Sequence, residues 1–289
     1  MIISEQLAEN CQKRPERRAW ANKLPVLLEE LATRWSLSIG EPFDRTGSCS
    51  WVAPVFRANG EPAVLKLAMP HMEGRDEIAG LRFWNGSITV RVLEADDESG
   101  GMLLERCLPG TTLRLESEAI QDEIIARLLK QIWTVAPGAN DDLLSFRPLS
   151  QMIDLWCRET VTQRLLWPDA GLVNEGLRVF EELARPALTD VLLLTDLHAG
   201  NVLRSQRTPW LVIDPKPFIG DRSYDPVQHL MNCERRLHRD PIGLIHRVAD
   251  LTEVDAERLR LWTFARAAAD PRDDWSNREW IKTAKALAM

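Results

Sequence analysis

Residues 192–203 read Leu-Leu-Leu-Thr-Asp-Leu-His-Ala-Gly-Asn-Val-Leu, and residues 210–214 read Trp-Leu-Val-Ile-Asp. Two short apolar runs are each closed by a carboxylate, and an Asn stands five residues after the first, Asp196. Runs this short and this close read as strands of one small turn-back unit. The thirteen residues from Asn201 to Asp214 suffice for a tight β-hairpin whose far end returns to its near end. Folded so, Asp196, Asn201 and Asp214 meet at one edge. Two carboxylates and an amide oxygen are hard ligands that suit Mg²⁺ rather than zinc.

The spacing also suggests a division of labour. In nucleotide-dependent phosphoryl transfer an Asp accepts the acceptor hydroxyl's proton. An Asn five residues on and a further Asp at a strand end hold Mg²⁺ on the phosphates. Asp196 fits the base, and Asn201 and Asp214 fit the metal ligands. Any one of them alone is also an ordinary turn residue. It is the three together, each against an apolar run, that point to chemistry.

Composition removes other classes. With 289 residues the chain is long enough for one large domain or two lobes. A net charge of −7 argues against a nucleic-acid binder, which needs a basic face. No apolar run approaches membrane-spanning length, and the N-terminus is acidic where a signal peptide would be basic. Cys11, Cys49, Cys107, Cys157 and Cys233 are scattered and odd in number, with no Cys-x-x-Cys. They read as reduced thiols of a cytoplasmic protein.

The N-terminal third mixes a helical lead-in with strands. Leu24, Leu27, Leu28, Leu31 and Trp35 share one helical face, with Pro25 at a helix start or a kink. Residues 43–56 and 62–68 then read as strand, Gly-containing turn, strand, turn, strand, with Asn59-Gly60 as the hairpin signal. Gly47, Ser48 and Ser50 either lay N–H groups and hydroxyls over phosphates or form a plain hairpin turn. Lys66 interrupts the apolar run Ala63-Val-Leu-Lys-Leu-Ala. Alternation puts it on the face of Val64, opposite Leu65 and Leu67. It is either an edge-strand gatekeeper or a buried cation, with Glu77 and Asp76 as rival partners. Residues 88–94 and 101–106 read as two more strands. Near Glu105 and Cys107, before Pro109-Gly110, the chain passes to a helical pattern, which places a boundary at 107/108. Exposed backbone there would suit an adenine edge.

The remainder reads as helices at 117–135, 148–166 and 171–185, and near 223–235, 241–251, 255–269 and 276–288. Asp225 suits a helix N-cap that also hydrogen-bonds the Asp196 loop backbone. Lys216 is a solvated turn lysine or a phosphate contact. Only about ten residues separate Asp214 from the next helix, too few for the activation loop and peptide-docking segment of a protein kinase.

Taken in order, Ala63-Val-Leu-Lys-Leu, Glu77-Ile-Ala-Gly-Leu-Arg-Phe-Trp, Leu103-Leu-Glu-Arg-Cys-Leu-Pro-Gly, Asp196-Leu-His-Ala-Gly-Asn-Val-Leu, Trp210-Leu-Val-Ile-Asp-Pro-Lys and Gly220-Asp-Arg-Ser-Tyr-Asp-Pro resemble the aminoglycoside and hydroxyurea antibiotic-resistance kinases, in the branch of the streptomycin phosphotransferases. The resemblance implies an α+β, two-lobed protein-kinase-like fold with a β-rich lobe over 1–107 and a helical lobe over 108–289. It implies ATP- and Mg²⁺-dependent phosphorylation of a hydroxyl on a small molecule, an aminoglycoside such as streptomycin or hydroxyurea. By it, Lys66 meets the α/β-phosphates, Glu77 orients Lys66, Asp196 is the base, and Asn201 and Asp214 bind Mg²⁺. No protein partner is implied. Leu194 and Thr195 stand where the family has His-Gly, and Ala199 stands where many relatives have a second His. These departures bear on the acceptor. Asp154, Glu159, Asp270, Asp273, Asp274 and Glu279 are candidate contacts for a cationic sugar. The alternatives are a metabolic kinase of another small alcohol and a non-catalytic nucleotide-binding module.

Overall fold

The computed structural model describes residues 3–43, 49–135, 145–272 and 274–288. They divide into two compact units, Met1–Thr111 with Leu203–Ile213, and Thr112–Val202 with Asp214–Met289. A single boundary at 107/108 does not describe this division. An eleven-residue excursion from the second half folds with the first. The reason is backbone pairing: Gly110 N–H donates to Arg204 O at 3.0 Å, and Arg204 N–H donates to Thr111 O at 2.8 Å.

The first unit is an antiparallel sheet of β1 (Leu37–Ile39), β2 (Ser50–Arg57), β3 (Pro62–Ala68), β4 (Val92–Asp96) and β5 (Gly101–Glu105), in the order β1-β2-β3-β5-β4. Gly60, at φ 82°, makes the turn between β2 and β3, a conformation that costs a Cβ-bearing residue dearly. Helices α1 (Glu5–Gln12) and α2 (Pro15–Arg34) cover one face, where Leu24, Leu28 and Leu31 pack with Leu65, Leu67 and Leu103. On the other face Ile78 and Leu81 of α3 (Glu77–Trp84) pack with Met102, Leu104 and Leu211. Three readings shift here. Of the two places read for Pro25, a helix start or a kink, the start is excluded, since it lies inside α2. Residues 37–39 supply the first strand. The expected strand at 88–94 is split, because 88–90 pairs with 212 while β4 begins at 92.

The second unit contains α4 (Glu118–Ile132), α5 (Leu149–Thr162), α6 (Ala170–Leu183), α7 (Asp225–Asn232), α8 (Glu234–Arg239), α9 (Pro241–Thr252), α10 (Ala256–Ala269) and α11 (Arg278–Ala288). Side chains of Asp169, Asp240 and Asp255 cap α6, α9 and α10 by accepting N–H bonds three residues on. The helix expected over 223–235 breaks at Cys233, whose ψ of 38° is not helical. Helix α10 is the core of this unit, with Trp262, Phe264 and Ala265 through Ala269 buried. Gly176 lets α6 approach it, since a Cβ there would lie 2.8 Å from the Ala268 Cβ. β6 (Val191–Leu193) pairs antiparallel with β9 (Phe218–Gly220), while β7 (Val202–Arg204) pairs with β8 (Trp210–Val212).

Candidate active site

β6 delivers the chain to a tight loop at Leu194–Asp196. Thr195 takes a φ of 49°, a left-handed conformation unusual for a β-branched residue. Two contacts hold it. Its N–H donates to Asp225 Oδ1 at 2.7 Å, and its Oγ1 donates to Lys216 O at 2.6 Å. Leu194 N–H also donates to Asp225, at 3.0 Å, and Lys216 N–H donates to Leu194 O at 2.9 Å. The loop before Asp196 is thus latched to the segment that follows Asp214.

Within that latch the Asp196 carboxylate is held at both oxygens. Lys216 Nζ donates to Oδ2, and Gln228 Nε2 donates to Oδ1 at 2.7 Å. Asn201 Nδ2 donates to Asp196 O at 3.0 Å. That commits the amide nitrogen to the loop and makes Oδ1 the atom Asn201 offers a ligand. Asp214 sits at φ 53°, a conformation Asp tolerates better than most residues. An amide oxygen and a partly buried carboxylate are a hard-oxygen donor set, which fits Mg²⁺. His198 Nδ1 accepts from Gly200 N–H at 3.0 Å and so carries no proton itself. Burial pushes this imidazole's pKa down, against the opposing field of Asp196.

In the first unit, Lys66 and Glu77 form a buried ion pair at 2.6 Å, with side chains 6% and 3% exposed. Lys66 is a central-strand residue, since β3 lies between β2 and β5. The Glu105 side chain is engaged within the first unit, which leaves the backbone reading at this stretch untouched. Its carboxylate takes both Nε and Nη2 of Arg207 at 2.9 Å and accepts Arg91 N–H at 3.1 Å. Those bonds hold the carboxyl below the usual range against the burial that raises it. Cys107 is buried, and burial pushes its thiol up to about 12. Ser50 opens β2 opposite Ala68. Gly47 and Ser48 lie outside the described residues.

Three comparisons bear on this arrangement. The family model of the aminoglycoside/hydroxyurea antibiotic resistance kinases matches residues 34–272. The chain belongs to this family. It is 37% identical to the streptomycin 6-kinase of Streptomyces glaucescens over 263 residues, which are 87% of this chain and 83% of the relative. It is 34% identical to the hydroxyurea phosphotransferase of Kitasatospora aureofaciens over 86% of this chain and 72% of the relative. Among solved structures it resembles the choline kinase LicA from Streptococcus pneumoniae (TM-score 0.63, 16% identity, 92% of this chain and 99% of that one). The fold is therefore protein-kinase-like, and this kinase transfers phosphoryl groups from a nucleotide to small molecules.

Some residues around Asp196 escaped sequence reasoning. Gln228, which donates to Asp196, is one, and Arg266, which donates to Gln228 Oε1 at 2.8 Å, is another; Lys216, read as a turn lysine or a phosphate contact, donates to Asp196. One signal was available for Gln228: it stands three residues after Asp225 and so shares its helix face. Of the acidic residues read as sugar contacts, Asp270 accepts Arg266 at 2.6 Å, Glu279 accepts Lys282 at 2.6 Å, and Asp274 accepts the Ser276 N–H at 2.8 Å. Asp273 lies outside the described residues.

Proposed function

We propose that this kinase uses Mg·ATP to phosphorylate a hydroxyl of a streptomycin-like aminoglycoside. The reading is supported by the latched loop, in which Thr195 Oγ1 donates to Lys216 O and Asn201 Nδ2 to Asp196 O, in a chain 37% and 35% identical to two streptomycin 6-kinases. Asp196 takes the acceptor hydroxyl's proton as that oxygen attacks the γ-phosphorus and ADP leaves. Asn201 Oδ1 and Asp214 hold Mg²⁺, which when bound neutralises charge on the phosphates. Lys66, oriented by Glu77, meets the α/β-phosphates. Backbone near Glu105 and Cys107 serves the adenine edge, and Ser50 serves the phosphates; Gly47 and Ser48 keep that role as a reading of the sequence alone. Catalysis is then mainly positioning and charge neutralisation. The enzyme acts in the cytoplasm, where ATP is supplied and its cysteines stay reduced.

A second acceptor is favoured by the 34% identity to a hydroxyurea phosphotransferase. Hydroxyurea is small and uncharged, whereas streptomycin is a cation. The test is ADP release with Mg·ATP against streptomycin, other aminoglycosides, hydroxyurea and common sugar alcohols, with Asp196→Ala as control. Streptomycin-dependent release that disappears in the variant is the expected result. Release with hydroxyurea alone would replace the acceptor. Nucleotide binding without release on any acceptor would instead favour a non-catalytic module.

A further inference from the structure

Helix α7 carries Asp225, Gln228 and Asn232 at i, i+3 and i+7, on one face. The first two reach the loop around Asp196, and the third meets Arg114 beside it. Asp225 holds the Leu194 and Thr195 backbone. Asn232 Oδ1 accepts Arg114 Nη2, which also lies 3.4 Å from His198 Nδ1. Gln228 alone of the three addresses the Asp196 carboxylate, with Nε2 at 2.7 Å from Oδ1. A glutamine amide has two ends, and the wrong one would set oxygen against oxygen. Arg266 decides between them. A guanidinium has five donors and no acceptor, and its Nη1 donates to Gln228 Oε1 at 2.8 Å. The NH₂ group must therefore face Asp196. Arg266 is itself fixed. It is 9% exposed, its Nε donates to Asp270 Oδ2 at 2.6 Å, and its guanidinium lies 4.9 Å from the Trp156 ring centroid. The arm that ends on Asp196 Oδ1 is thus anchored in α5, α7 and α10.

We propose that Gln228 is a positioning residue for phosphoryl transfer. It fixes the rotation of the Asp196 carboxylate, with Lys216 on the other oxygen, and Arg266 fixes the direction of its amide. The inference rests on the reading of Asp196 as the base. It differs sharply from a packing role. Glutamate at 228 would fill the same space and give Arg266 a charged partner, yet it would offer Asp196 no donor.

Gln228→Glu and Gln228→Leu are compared with wild type in steady-state turnover, thermal unfolding and crystal structure. The expected result is a kcat lowered about 100-fold in both variants with KM for ATP held, the size that a displaced catalytic group produces. Gln228→Glu should unfold no earlier than wild type, and the Asp196 carboxylate should be rotated in the Gln228→Leu crystal. Gln228→Glu turnover within about threefold of wild type would overturn the proposal. So would a kcat loss that merely follows a lowered unfolding midpoint, or an Asp196 carboxylate unmoved in the Gln228→Leu crystal. The crystal readout needs no acceptor. A wild type inactive on every acceptor would count against Asp196 as the base and would leave Gln228 to be judged by where the carboxylate sits.

Discussion

Asp122 on α4 and Asp225 on α7 are both buried in the second unit, at 1% and 0% exposure, yet their surroundings drive them in opposite directions. Burial pushes both carboxyls up. At Asp122, hydrogen bonds from His229, Arg236 and Arg247 outweigh burial and hold the group well below the usual carboxylate range. At Asp225 the donors are neutral: the Trp133 indole and the N–H groups of Leu194 and Thr195. Burial wins there and raises the pKa to about 6. The partners decide the outcome: at Asp122 charged donors more than repay the hydration lost, and at Asp225 the neutral donors do not. Asp122 ties α4 to α7, α8 and α9 by charge. Asp225 shapes the loop before Asp196 with little gain in stability. His229 and Asp225 both lie on α7, so one short helix joins the two.

The largest expected effect comes from removing the charge that gathers the cations. Asp122→Ala leaves His229, Arg236 and Arg247 around a vacated site and should cost about 3–5 kcal/mol in urea unfolding. Turnover per folded molecule should change little. His229 sharpens the test. Burial lowers its pKa, but the Asp122 and Cys233 contacts raise it further, to about 9. Its contribution is complete below its unfolded value of about 6.5 and is lost as pH climbs through about 9. That alkaline loss should flatten in Asp122→Ala. A variant within about 1 kcal/mol of wild type would mean that Asp122 is no staple.

Asp225→Asn should invert the pattern. The shape is kept, but an amide cannot accept from all three donors, so the Thr195 loop loosens. Activity should fall about 10- to 100-fold, while stability at neutral pH moves by roughly 1 kcal/mol, since the buried charge is removed as well. The acid limb separates the two carboxyls further. With a raised folded pKa, Asp225 favours the native state below about pH 4, and that advantage is lost as pH rises to about 6, a change of roughly 2–3 kcal/mol. Asp122, with a depressed folded pKa, stabilises above the usual carboxylate range and loses its contribution only as pH falls below it. Asp225→Asn should therefore erase the decline between about pH 4 and 6. If stability proves level across that window in wild type, the contrast between the two carboxyls fails.

The smallest effect is expected at Thr195→Gly. Glycine relieves a left-handed φ that costs a β-branched residue about 1–3 kcal/mol. It also surrenders the Oγ1 bond to Lys216 O, worth about 1 kcal/mol, and adds backbone entropy to the unfolded chain. A net change within about 1 kcal/mol is expected in denaturant unfolding, and a larger loss would show that the hydroxyl latch outweighs the strain.

Much of the frame was legible in order and spacing. A hairpin between Asn201 and Asp214, a lysine inside an apolar strand and an acid at the head of the next helix are local patterns, and the structure forms the hairpin and the Lys66–Glu77 pair. Asp225 was legible in part: it opens α7 rather than capping it, with Tyr224 at the N-cap, but it does take the backbone N–H groups of the loop before Asp196. Side-chain partners were less so. Lys216 read as a turn lysine or a phosphate contact, and nothing in the pattern named Asp196 as its partner or Arg207 as that of the Glu105 carboxylate. Arg266 and the cations around Asp122 gave no sign at all, and Gln228 only its place on the helix face of Asp225. Helical spacing names the face a residue occupies but not the neighbour that face meets.

The sequence by itself therefore determined the succession of strands and helices, the family, and which residue types stand at each turn, because these follow from periodicity and short-range sterics. Only tertiary structure decided that residues 203–213 fold with the first unit, that Asp122 and Asp225 carry opposite burdens, and that Asp196 is held at both oxygens. Each of those depends on side chains brought together from distant parts of the chain. Their hydrogen bonds gain their strength from burial, which a linear pattern does not specify.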